Sequence, residues 1–344
     1  MNKTPIIMAL FSAFLFGAAA PASKFLLADL TPFHLAGLLY LGAALAVAPT
    51  ALKSGGFALS GGKDYKTLLR LSGAILFGGI LGPVALLFGL RLAGAASVSL
   101  WLNLELAATA ALGVFLFREH IGAKGWLGIA LAIAASMLIV WAPGNTGITA
   151  GILILVACVC WGLDNHLTAL IDGITPSQST FWKGIVAGVV NLSIGAAFTP
   201  VTVELPLIVI ALVVGALSYG ASIVLYIHSA QSMGATRAQV LFASAPFFGV
   251  ALSIMFLGES LSLMHLLATP LFILGAGLLM LDEHGHRHTH KAITHEHLHR
   301  HDDGHHNHSH PNLGKWVYHS HEHSHEPVTH SHQHWPDIHH RHKH

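Results

Sequence analysis

The chain has 344 residues, of which 53% are hydrophobic and only 10% charged, far from the roughly 25% charge usual in soluble domains. With a mean hydropathy of +0.62, that balance excludes a water-soluble fold. A net charge of +1, without a basic stripe, interleaved aromatics or zinc-finger spacing, offers nucleic acid no surface.

Hydrocarbon about 30 Å thick is crossed by about 20 apolar residues of helix, because a backbone in lipid must satisfy its own hydrogen bonds. Such runs predict an all-α membrane protein with ten transmembrane helices. They lie near 5–26, 32–52, 68–89, 95–117, 123–142, 148–169, 180–199, 206–229, 235–257 and 263–282. The second run opens with Pro32 and contains His34, and the seventh is interrupted by Asn191. The first has Lys3 ahead of it, then an apolar stretch and Gly17 to Ser23 toward its end, the outline of a cleaved leader. It is expected to be retained, because Phe16-Gly17 to Thr31-Pro32 has a counterpart at Trp161-Gly162 to Thr175-Pro176.

Further counterparts follow along the chain. Gly94-Ala95 matches Gly234-Ala235, and Phe117-Arg118-Glu119 matches Leu257-Gly258-Glu259, both 140 positions apart. The division is therefore a first five-helix repeat over 1–143, a second over 144–282 and a tail over 283–344. An odd number of spans per repeat inverts the second copy relative to the first. That is the plan of secondary transporters, with a substrate site near mid-membrane where the halves meet.

Orientation is read from cations in short loops. With the N-terminus inside, Lys3, Lys53, Lys63, Lys66, Arg70, Arg118, Lys124, Lys183 and Arg237 fall on the cytoplasmic side, against Lys24 and Arg91 outside. The chain is thus expected to be a multi-pass protein of the cell (inner) membrane with both termini cytoplasmic.

Two tandem units, each with a Gly-rich first helix, a Thr-Pro turn and a small-residue helix ending in Glu, resemble the EamA-like members of the drug/metabolite transporter superfamily. The likeness covers about residues 5–282 and is strongest at Leu257-Gly258-Glu259 and Ser244-Ala245-Pro246. The first unit departs from it, with Leu106 where the second has Pro246, an added Glu105, and Arg118-Glu119 in place of Gly-Glu. The resemblance implies gradient-driven export of small metabolites such as amino acids, without ATP and without a required cofactor. No phosphate loop, nucleophile elbow or HExxH motif suggests an enzyme.

An ionisable side chain near the bilayer centre costs at least about 2.5–3.5 kcal/mol on insertion scales, so it faces a wet cavity or a partner. Glu105 lies in the middle of the fourth run, with Asn103 beside it and Trp101 one turn back. It is a candidate for binding a cationic or amine-bearing substrate or for carrying a coupling proton; a structural, hydrogen-bonded Glu is the plainer alternative. In the sixth run Trp161, Asp164, Asn165 and His166 form a second candidate cluster, set against an early helix end at the interface. Cys158 and Cys160 lie on the same helix, read as core cysteines or as soft metal ligands. Lys24 is a candidate substrate or proton-coupling residue, or a cation snorkelling to water.

The chain holds 28 histidines, and all but His34, His120, His166, His228 and His265 lie beyond residue 282. The tail is expected to be disordered and low in complexity. Its alternating His284, His286, His288 and His290; His295, His297, His299 and His301; His319, His321, His323 and His325; and His330, His332 and His334 offer neutral imidazoles to divalent Zn, Ni, Co or Cu. The leading reading is an exporter of a small organic solute whose tail binds metal. The alternative is a divalent-metal efflux protein whose tail collects the ion for a path through Glu105, Asp164 and His166. A membrane-anchored metal store or sensor is a third. The expected partners are the lipid bilayer and a small-molecule or ion substrate; oligomeric state is not readable from the sequence.

Overall fold

The computed structural model describes residues 4–53, 56, 65–117, 121–141, 147–171, 174–200, 203–233, 238 and 241–281, together with the backbone of four short segments further on. Among these residues nine helices are long and apolar enough to cross a membrane. They are α1 (Thr4–Leu26), α2 (Pro32–Lys53), α3 (Tyr65–Leu92), α4 (Ala95–Leu116), α5 (Ala123–Val140), α6 (Ile148–Ala169), α7 (Pro176–Phe198), α8 (Leu205–Ser229) and, last in the chain, Leu263–Met280. Between the last two runs a shorter apolar helix, α9 (Ala245–Leu257), covers the second part of the expected 235–257 span, and Leu263–Met280 becomes α10. The expected span is shorter as a continuous helix because a turn at Ala243-Ser244 precedes Pro246 at the first turn of α9.

Local chemistry explains where the helices begin. The Thr175 hydroxyl accepts from the Gln178 backbone at 3.3 Å while the Gln178 side chain accepts from the Thr175 N–H at 2.9 Å. With Pro176 at the first helical position, this capping box starts α7 four residues before the apolar run at 180. In the first half, the Thr31 hydroxyl accepts from the His34 N–H at 3.3 Å and pairs with His34 Nδ1 at 3.0 Å. The repeated Thr-Pro turn is therefore a helix start in both halves.

Four of the spanning segments are not uniform α-helix. α1 is interrupted at Ala18 and α4 after Trp101, where Leu102-Asn103 form a turn before Leu104 resumes the helix. α3 passes through a π-helical stretch at Ile75–Leu81, and α8 through another at Ala216–Ala221. Extra residues in a helical turn offset the backbone ladder and leave carbonyls open to other donors, and such stretches are frequent at functional sites.

Packing runs mostly between the first and second halves. α2 lies along α7, and α5 along α10; α6 packs on α3 and α4, and α1 on α8 and α9. Glycines set these approaches: a Cβ at Gly37 would meet the Gly188 carbonyl, and one at Gly188 would meet that of Gly37. Gly128 and Gly275 stand in the same reciprocal relation between α5 and α10. Small residues of this kind let membrane helices close to backbone contact. Outward, large apolar side chains such as Leu45, Phe115, Met137, Phe198 and Phe256 are exposed, a surface that lipid covers and water would not tolerate.

In the histidine-rich stretch the backbone is described at His284–Thr289, Ile293–His299, His319–His325 and Thr329–His334, four short strands where the sequence suggested disorder. The first pairs antiparallel with the fourth and the second with the third. The period-two alternation of His with other residues suits extended chain.

Candidate functional site

The polar groups inside the bundle gather around the interruption in α4 and the π-stretch of α3. Glu105 follows the turn at Leu102-Asn103, and its Oε1 accepts a hydrogen bond from Asn165 Nδ2 of α6 at 3.2 Å. The same Asn165 amide lies 3.4 Å from the Thr109 hydroxyl. Glu105 is half-buried and Asn165 exposed, so the pair is not sealed within a packed helix contact. Tyr219 and Tyr40 lie within electrostatic range of the Glu105 carboxylate.

Those tyrosines belong to a row of rings. Tyr40 and Tyr219 have centroids 5.8 Å apart, Tyr219 and Phe16 6.0 Å, and Phe16 and Phe242 5.3 Å. Four elements contribute: α2, α8, α1 and the approach to α9. Aromatic rings near a carboxylate provide both electrostatic and face attraction for an ammonium or similar cation.

One residue before Asn165 on α6, Asp164 is held by three contacts. Its Oδ1 and Oδ2 accept from Lys183 Nζ of α7 at 2.5 and 2.7 Å, and Oδ1 also accepts from the Thr168 hydroxyl at 2.9 Å. The side chains of Lys183 and Asp164 retain only 15% and 12% exposure. The π-stretch makes room for them: a Cβ at Gly78 would strike the Asp164 carboxylate, and one at Gly79 would contact both Lys183 and Tyr40. The carbonyls released there are taken up by donors. Gly78 O accepts from the Tyr40 hydroxyl and from Trp161 Nε1, the latter at 3.2 Å, and Gly79 O accepts from Asn191 Nδ2 at 3.0 Å.

The other candidates are placed as follows. Trp101 is fully buried and turned away from Glu105, its Nε1 donating to the Ser136 carbonyl of α5 at 3.1 Å. Asn103 closes its own turn, donating to Leu100 O at 2.9 Å. His166 Nε2 is 3.0 Å from the Thr109 carbonyl. Lys24 caps the C-terminal end of α3, donating to Leu90 O at 2.7 Å and Ala93 O at 2.9 Å. Cys158 and Cys160 are free and buried. The tail histidine side chains and Glu119 lie outside the described residues. Among the described residues, no group of three or more His, Cys, Asp and Glu is arranged to hold a metal ion.

Sequence reasoning missed two members of this cluster. Lys183, near the start of the expected 180–199 run, counts in the sequence as a cation near the cytoplasmic side; the Thr175-Pro176 start places it two turns inside α7. Tyr219 carries no local signal in the sequence, since its ring neighbours Phe16 and Tyr40 come from α1 and α2.

A further contact joins the two halves at the far end of α4. Glu259, following the left-handed Gly258 (φ 66°) that ends α9, places its carboxylate on the start of α4. Oε1 accepts from the Ala95 N–H at 2.7 Å and Oε2 from the Ala96 N–H at 2.8 Å. Nearby, His265 Nε2 is 2.8 Å from the Ser97 hydroxyl while its Nδ1 is 2.7 Å from that of Ser262.

A lipid-facing helical bundle with interrupted helices and charged groups held in its interior is the architecture of a membrane carrier. The chain belongs to the EamA-like transporter family, whose profile it matches twice, over residues 3–141 and 148–281. It is 28% identical over 227 residues to an uncharacterized transporter of Methanothermobacter thermautotrophicus, a match covering 63% of this chain and 64% of that relative's length. To an uncharacterized transporter of Synechocystis it is 27% identical over 292 residues, covering 78% and 80% of the two chains. A solved crystal structure superposes with a TM-score of 0.58 at 17% identity, over 81% of this chain and 96% of the other. That likeness speaks for the fold alone.

Proposed function

We propose that the protein is a secondary transporter which exports a small, amino-acid-like organic solute bearing a cationic group. Ten spans form two inverted five-helix halves that alternate in opening the path to either face of the cell membrane, with both termini in the cytoplasm. The inverted arrangement is supported by the exchange of partners between halves. The contacts of α1 with α8 and α9 correspond in order to those of α6 with α3 and α4, and α2 meets α7 and α5 meets α10 through reciprocal glycines. Both π-stretches fall in the third helix of their half.

The observation that carries the substrate reading is the half-buried Glu105 at the interrupted α4, paired with the exposed Asn165 of α6 and within electrostatic range of Tyr219 and Tyr40. Interrupted helices near mid-membrane are where carriers of inverted design hold their cargo. Divalent-metal efflux draws less support, since no metal-holding group occurs among the described residues of the bundle. The tail histidines are proposed to bind Zn, Ni, Co or Cu apart from that path.

Flux by the purified full chain in liposomes, with and without a proton gradient, against a panel of amino acids, amines and divalent ions, tests this. Amine-bearing solutes should move, and Glu105→Gln should lower their flux by about tenfold or more. Movement of divalent ions alone would reverse the reading.

A further inference from the structure

The ion pair between Asp164 and Lys183 is not needed for helix formation or for lipid contact, and Asp164 is the α6 neighbour of Asn165, the partner of Glu105. α6 ends at Ala169, shortly after Asp164, and α7 begins at Pro176, shortly before Lys183. The pair therefore ties α6 to α7 close to the turn that joins them. It is wedged against Gly78 and Gly79 of the α3 π-stretch, and Tyr40 and Trp161 fasten that same stretch through the Gly78 carbonyl. Five elements or segments of both halves converge on one charge pair: α2, the π-stretch, α6, α7 and, through Asn165 and Glu105, α4.

In the second half the corresponding π-stretch has no such charge. A Cβ at Gly220 would meet Ala46 and Ala43 of α2, and Tyr219 stacks toward Phe16 and Tyr40. The two stretches thus flank α2 with different chemistry, one packed on apolar surface and the other holding an ion pair. Apolar surfaces can part and rewet gradually, whereas separating a buried ion pair leaves two uncompensated charges unless each finds a new partner.

We propose that Asp164 and Lys183 form the gate at the α6–α7 end of the path. Opening at that end is conditional on replacement counter-charges, which the ammonium of an amino-acid-like solute supplies to Asp164 and its carboxylate to Lys183. The proposal rests on the alternating-access reading above and adds the groups that make opening at one face conditional. Until their charges are replaced, Asp164 and Lys183 hold three helices together.

Cys160, one helical turn before Asp164 and on the same face of α6, is a native reporter. It is buried in this structure, as is Cys158. The full chain, purified in detergent, is treated with a polar maleimide and the modified cysteine located by mass spectrometry. In the wild type Cys160 should label slowly. In the double variant Asp164→Asn with Lys183→Gln, which removes the pair without stranding a charge, its rate should rise about tenfold or more, while Cys158 stays slow. The reversed pair, Asp164→Lys with Lys183→Asp, should return Cys160 toward the slow rate.

A slow rate in the double variant overturns the gate. So does fast labelling of both cysteines in every variant, the reversed pair included, because that is the signature of a structural staple whose loss loosens the whole bundle. If the double variant is not monodisperse, Lys183→Gln alone carries the same expectation and the same refutation. The assay reads conformation only. A failed gate beside intact Glu105-dependent flux leaves the transporter reading standing, and loss of that flux beside a working gate overturns the substrate reading instead.

Discussion

Glu259 shows how one side chain can couple two halves of a membrane protein. Each carboxylate oxygen takes one of two backbone N–H groups that the first turn of α4 leaves without helical partners, a favourable arrangement because the helix N-terminus also carries partial positive charge. Gly94 fits the same contact, since a Cβ there would meet the Glu259 carboxylate. Truncation as Glu259→Ala leaves both donors unpaired in a part-buried setting, which costs about 1–3 kcal/mol for such a group. The expected outcome is a lower thermal unfolding midpoint of the purified protein, with Glu259→Gln in between because an amide offers one acceptor oxygen instead of two. An unchanged midpoint for the alanine variant would show that water replaces the carboxylate without penalty. Lys24 works in the same way at the opposite polarity, its ammonium resting on carbonyls at the end of α3.

At the level of helices, the glycine crossings are the contacts on which the packing of the halves depends. Gly188 sits against Leu41 and the Gly37 carbonyl, and Gly275 against the Gly128 carbonyl. In a bilayer no hydrophobic force drives helices together, so close van der Waals approach has to supply the association. Gly188→Leu would push α2 and α7 apart, with a cost of about 1–3 kcal/mol if the pair adjusts and more if it does not. A drop in the melting midpoint in detergent, larger for Gly188→Leu than for Gly188→Ala, is the expected result. Equal midpoints for glycine, alanine and leucine at this position would mean that α2 and α7 do not need the close approach. The π-stretches belong to the same scale. In α3 the stretch admits an ion pair and gives up carbonyls to Tyr40, Trp161 and Asn191, whereas in α8 it lies against alanines, so equivalent local geometry serves different chemistry in the two halves.

For the whole molecule, the tail and the bundle are expected to act separately. The matches to the family end at residue 281, just before the histidine-rich stretch begins. Removing residues 283–344 should leave solute flux in liposomes within about twofold of the full chain while abolishing most binding of Zn or Ni by the purified protein. A parallel loss of flux would tie the tail to transport and favour the metal-efflux alternative. Orientation is testable on the same scale. With Lys183 withdrawn from the loop cations, Lys53, Lys66, Arg70 and Lys124 still lie toward the face assigned to the cytoplasm, so reporters on the two ends of the chain should be found on one side of the membrane.

The apolar runs by themselves determined the all-helical membrane class and the approximate ends of nearly every span, because each helix in lipid must satisfy its backbone internally and so writes its length into local composition. The paired motifs also point to a doubled chain, and the family's profile matches the chain twice. Tertiary structure decided what the polar residues do. Trp101 shares a helix face with Glu105 in sequence terms, yet the turn at Leu102-Asn103 sends it toward Ser136 of α5. Lys183 reads as a loop cation until α6 and the α3 π-stretch supply its partner and its space. Spacing along one helix is a local property, whereas the partner of a charge inside a membrane comes from another helix, and only the packing of the helices says which one.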